Sequence, residues 1–117
     1  MVPDDFDTYV RGLGYAVEVV RGADSQEYSV VRDLQIATGS LTGKVCDVAI
    51  QRPPQVPYVL PASVHVRPHL LPMDSQAPYA TQPGHIGPEW QYWSRRYDRP
   101  PTPKGIWTHI LTVLGEM

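Results

Sequence analysis

"KVCDVAIQRPPQVPYVLPASVHVRP", residues 44–68, decides the fold. In "KVCDVAIQ" the side chains alternate, with Val45, Asp47 and Ala49 on one side and Cys46, Val48 and Ile50 on the other. That is the period of a strand. Pro53, Pro54, Pro57 and Pro61 follow. None can donate to a ladder, so "RPPQVPYVLPA" is expected to cross in an extended, polyproline-like path. "SVHVRP" then resumes strand, with Val64 and Val66 inward and Ser63, His65 and Arg67 outward.

Upstream, two more strands precede this pair. "YAVEVVR" alternates Ala16, Glu18 and Val20 against Tyr15, Val17, Val19 and Arg21, and "YSVVRDLQI" forms the next. "GADSQEY" and "ATGSLTG" supply the turns. The first three strands, joined this closely, are most simply an antiparallel meander, and the strand after the proline crossing makes it four-stranded. Before them, "DDFDTYVRGLG" reads as a short helix. Asp4 or Asp5 caps it, and Phe6, Tyr9, Val10 and Leu13 share one face; Gly12 and Gly14 end it.

Downstream, residues 69–101 sustain neither period, so a loop of about 30 residues is expected, pinned by its own side chains or kept for function. The chain then closes with "TPKGIWTHILTVLGEM". Thr102 is the N-cap, Pro103 takes the first helical position, and Ile106, Ile110, Leu111 and Leu114 form the apolar face. His109 reads as a polar position on that helix. The layout is α+β, one domain over residues 1–117, with helix covering one face of the sheet.

Composition narrows the function classes. A 42% hydrophobic content in 117 residues supports one core. Thirteen prolines, about twice the usual ~5%, exclude an all-helical bundle. A net charge of −2 gives no general pull toward nucleic acid or anionic membrane. The single cysteine suits a reducing compartment, and "MVPDDFDTYV" lacks a signal-peptide pattern. A soluble cytoplasmic protein without a membrane span is expected.

The element order, with "PPQVPYVLPASVHV" before the fourth strand and "PPTPKGIWTHILTVL" at the end, resembles the ubiquitin-conjugating-enzyme (UBC-like) fold. In that family a proline segment leads into the fourth strand, matched here by Tyr58, Pro61 and Ala62. A loop with a His-Pro-Asn motif and the catalytic cysteine follows. A turn matched by Pro101, Thr102 and Pro103 starts the helix across the sheet. The resemblance implies a bacterial branch, found beside activating-enzyme-like, ubiquitin-like and JAB-protease-like partners. It also implies a nucleophile near Trp93, where no cysteine stands; the nearest approach to the His-Pro-Asn motif is His69-Leu70-Leu71-Pro72. The family's C-terminal helices are expected to be missing. The resemblance therefore implies a non-catalytic, adaptor-type protein that needs no cofactor.

The remaining candidates follow from residue types. Cys46, the only thiol, lies on an apolar strand face where small cysteines are core filler; an atypical conjugating enzyme using Cys46 is the rival. His65, His69 and His85 lack the companions of a metal site, so no metal is expected. Ser94, His85 and Asp98 lack a nucleophile elbow. Between Gly87 and Leu114 the sequence gathers all three tryptophans with Arg95, Arg96, Arg99 and Lys104. Three readings stay open for this block: rings that pin the loop, a partner-binding surface of Tyr92, Trp93, Arg95, Arg96, Tyr97 and Arg99, and a nucleic-acid module over 90–99. The charge balance makes nucleic acid the least favoured.

Overall fold

Local end signals and alternation place most of the elements, although α1 begins at Pro3, so that Asp4 and Asp5, expected to cap it, lie within its first turn. The computed structural model describes residues 3–52, 64–70, 81–84, 86–93 and 102–115. Helix α1 (Pro3–Gly12) leads into β1 (Val17–Arg21), β2 (Glu27–Gln35) and β3 (Val45–Gln51). These are followed by β4 (Val64–Arg67), β5 (Thr81–Pro83), β6 (Gln91–Trp93) and α2 (Pro103–Gly115). The α+β class and the four-strand meander are as expected, with an N-terminal helix, an antiparallel sheet and a C-terminal helix. The proline crossing over 53–63 lies outside the described residues.

Two strands were not expected. β5 and β6 fall within the supposed loop and extend the sheet to the order β1-β2-β3-β4-β6-β5, all pairs antiparallel. Each is three residues long, too short for alternation to register. They are strands because β6 finds β4: Val64, His65 and Val66 stand opposite Trp93, Tyr92 and Gln91.

The inner face carries the main core. Val31, Leu34, Cys46, Val48, Ile50, Val64, Val66 and Trp93 meet Phe6 and Val10 of α1 and Ile106, Ile110, Val113 and Leu114 of α2. Thr102 caps α2 as expected: its Oγ1 accepts from the Gly105 amide at 3.0 Å, and its carbonyl from Ile106 at 3.0 Å. Leu13 and Leu111, expected on the buried faces of their helices, are 48% and 42% exposed. Leu13 lies past the end of α1, and the side of α2 that carries Leu111 turns to solvent. His109, expected as a polar position on α2, is buried, at 4% exposed.

The outer face is covered too, by chain rather than helix. Trp90 and Ile86 pack on Tyr28, Val30, Ala49 and Val20. His65 was expected to point outward. It does occupy the outer face, but that cover leaves it only 3% exposed.

At the far end of α2 the backbone of the 37–43 turn packs directly on the helix terminus. Gly39 has φ +82°, and a Cβ there would lie 2.5 Å from the Gly115 carbonyl oxygen. Only glycine meets both conditions without displacement. No helix among the described residues is long and apolar enough to cross a membrane.

Candidate functional site

The segment after β4 and the turn before β6 form one knot at the place where the resemblance puts an active-site loop. Gly84 donates to the Trp90 carbonyl at 2.9 Å, and Trp90 donates back to that of Gly87 at 3.2 Å. A Cβ at Gly84 would stand 2.5 Å from Trp90 Cβ, so this closure requires glycine. Past the cis Arg67–Pro68 bond, His69 ties the two strands of the knot. Its Nε2 is 3.0 Å from the Pro88 carbonyl and 3.1 Å from that of Trp90. Carbonyl oxygens only accept, so Nε2 carries the proton. Gln91 is fully buried, and its Oε1 accepts from the Leu70 amide at 3.0 Å and from Trp93 Nε1 at 3.1 Å. The histidine nearest to the family motif thus holds the loop through backbone.

The aromatic residues divide between the two faces. Trp90, Trp93 and Trp107 are 2%, 0% and 7% exposed, so the tryptophans pin the segment. Trp93 was grouped with the partner-binding residues. Its ring lies in the inner core and offers no surface to a partner. Tyr92 points the other way and is half-buried. Its ring stands edge-on to His65 at 5.1 Å, and His65 stands likewise to Tyr28 at 5.1 Å. The Tyr28 hydroxyl donates to Asp24 Oδ2 at 2.6 Å, and burial followed by that bond pushes the phenol well above its usual range. Arg95, Arg96, Tyr97 and Arg99, with His85, Ser94 and Asp98, lie outside the described residues.

Beside the aromatic row runs an ionic one that sequence reading did not assemble. Glu18, Arg32, Asp47, Arg67 and Glu89 alternate in sign across the outer face. Arg32 reaches Glu18 at 2.9 Å and Asp47 at 3.1 Å, and Arg67 reaches Asp47 at 2.7 Å and Glu89 at 3.8 Å. The Arg67 guanidinium lies 4.5 Å over the Trp90 ring, a cation–π contact that fastens the cover. The signal was present in the outward positions of Asp47 and Arg67, which stand directly opposite each other in the register.

Asp47 is the hub of this row. Its other oxygen accepts from the Asp33 amide at 3.0 Å, holding the β2 bulge at which Asp33 adopts φ +54°. Burial alone would raise the Asp47 carboxyl. The hydrogen bonds from Arg67, the Asp33 amide and Arg32 outweigh it and hold the group below the usual carboxylate range. A carboxyl depressed in the folded state contributes stability above its unfolded pKa of about 3.9, and this is lost as pH falls through the lower, folded value. Acid titrations of unfolding should therefore show a steeper loss of stability below about pH 4 in the native protein than in Asp47→Asn. Parallel curves would remove Asp47 from that role.

Cys46 is the remaining chemistry. It faces inward with Val48 and Ile50 and is 3% exposed. Burial, then the charge of Asp47, pushes its thiol up to about 12, which disfavours at neutral pH the thiolate that thioester formation requires. Among the described residues no group of three or more histidine, cysteine or acidic side chains is placed to hold a metal ion.

Residues 2–117 match the family described as prokaryotic E2 family E, and the chain belongs to it. No curated protein and no solved structure gives a match. Family membership makes this an E2-like protein whose partners are, in general terms, other proteins.

Proposed function

We propose that this E2-like chain is a non-catalytic component of a bacterial ubiquitin-like modification system, a single domain over residues 1–117 that acts by binding other proteins in the cytoplasm. One observation carries the reading. The only thiol in the sequence, Cys46, sits in the inner-face core with its pKa raised. A thioester carrier needs an accessible thiolate that an adenylate or another thioester can approach.

By the resemblance, the loop at which the family keeps its nucleophile corresponds to the segment that Trp90, Gln91 and Trp93 hold through packing and hydrogen bonds. None of these side chains can carry an acyl group. The contact surface in this reading is Tyr92 with Arg95, Arg96, Tyr97 and Arg99. Its partners are an activating-enzyme-like, a ubiquitin-like or a JAB-protease-like protein.

The test is direct. Incubation with the cognate activating enzyme, ATP and ubiquitin-like protein should leave the chain without a reductant-sensitive adduct, while the activating enzyme charges normally. Cys46→Ser should leave pathway output intact, apart from a packing cost of about 1 kcal/mol. A thiol-sensitive conjugate that Cys46→Ser abolishes would make this an enzyme with a relocated nucleophile.

A further inference from the structure

β1 is one edge of the sheet and β5 the other, and the two edges differ. β5 is three residues long and ends in Pro83, which cannot donate to an added strand. β1 is five residues, "VEVVR", without proline or glycine, and the Val19 side chain at its centre is 45% exposed. Such an edge is a template for another strand unless something covers it.

The register shows which groups are open. The Arg32 amide donates to the Ala16 carbonyl, and the Gly22 amide to that of Gln26. Between them Glu18 faces Val30 and Val20 faces Tyr28. Hydrogen-bonded pairs alternate in an antiparallel ladder, so Ala16, Glu18, Val20 and Gly22 turn their backbone groups toward β2. Val17, Val19 and Arg21 turn theirs to the open side. Two of the outward positions on this side are already occupied. Arg11 Nη2 donates to the Val17 carbonyl at 2.8 Å, and beyond the strand the Ala23 amide donates to the Ile86 carbonyl at 2.7 Å.

We propose that Arg11 guards this edge against a second copy of the same chain. An antiparallel copy related by a two-fold axis at Val19 places Val17 opposite Arg21 of the copy, Val19 opposite Val19, and Glu18 opposite Val20. The residues with outward backbone groups meet one another, and no like charges stand face to face, so β1 is complementary to itself in this register, which pairs all five of its residues. The Val17 carbonyl is where the copy's Arg21 amide would donate, and the Arg11 guanidinium sits there instead. Arg11 is the basic residue of the last turn of α1, where the helix terminus also favours a cation, so the guard is held from two sides. The inference is independent of the non-catalytic reading, since it concerns an edge remote in sequence from the 92–99 loop.

The experiment is sedimentation velocity on the full chain over a wide concentration range, for the native protein and Arg11→Ala. The two-fold axis frees the Val17 carbonyl of both copies, so the variant should self-associate about tenfold or more tightly, the equivalent of two added hydrogen bonds with their desolvation. Adding Val19→Pro, which removes an outward donor and leaves the β1–β2 ladder intact, should reverse the gain. Far-UV circular dichroism establishes that each variant is folded. Equal association of native protein and Arg11→Ala would overturn the proposal. So would association of Arg11→Ala that Val19→Pro leaves unchanged, because it would run through another surface.

Discussion

Trp93→Ala should lower the stability of this protein by about 3–5 kcal/mol, the range for truncating a large buried ring. Trp93 is 0% exposed and stands in β6 between two partners, opposite Val64 on one side and Thr81 on the other. Removing the ring opens a cavity in the core that the inner face of the sheet shares with the helices, and it withdraws the indole N–H from Gln91 Oε1. Gln91 also anchors Leu70, so the loss should reach the segment after β4. A urea midpoint read by circular dichroism gives the measurement. Trp93→Phe, which keeps most of the ring, should recover the larger part of the loss. Tyr92→Ala, half-buried on the opposite face, should cost less because it forfeits an edge-on contact with His65 rather than core volume. An unchanged midpoint for Trp93→Ala would put the ring at the surface, and with it the partner-binding role expected of it from position alone.

That reversal for Trp93 marks how far the sequence could be read. Where one strand carries its own pattern, the reading was close. Cys46, Val48 and Ile50 alternate with Asp47 because one face of β3 meets helix, and the expected strand over 44–51 is observed as Val45–Gln51. Thr102 and Pro103 marked the start of α2 because cap chemistry is local. What stayed hidden depends on chain brought from elsewhere. "TQP" and "QYW" have no period of their own and become strands only by pairing outward from β4. His65 looks solvent-facing in "SVHVRP" and is buried because Trp90 and Ile86 return over the outer face. The candidate site was legible as a cluster of rings and arginines, but which ring turns inward is set by β6 register. Alternation over three residues could not supply that.

The same limit explains the second large effect, which no local pattern announces. Arg52→Ala should destabilise by about 3–5 kcal/mol, because it strands a buried carboxylate. Asp7 belongs to α1 and its side chain is 3% exposed; Arg52 follows β3, 45 positions later, and meets Asp7 Oδ2 through Nη1. The same nitrogen reaches Ser29 Oγ at 3.1 Å, and Nη2 reaches Asp4 at 2.7 Å. Asp7 Oδ1 has no hydrogen-bond partner among the described residues, so without Arg52 both oxygens would be buried and unanswered. The pair fixes α1 against the sheet, and hydrogen exchange in α1 should accelerate in the variant before the central strands are affected. Asp4→Ala tests the exposed arm of the cluster. Its side chain is 80% exposed, so it should cost only about 0–1 kcal/mol. The double change Asp7→Leu with Arg52→Met separates two accounts of the pair. If the cost of Arg52→Ala comes from the orphaned charge, replacing both partners by apolar groups should return most of the stability. If the ion pair itself supplies the stability, the double variant should be as weak as the single one.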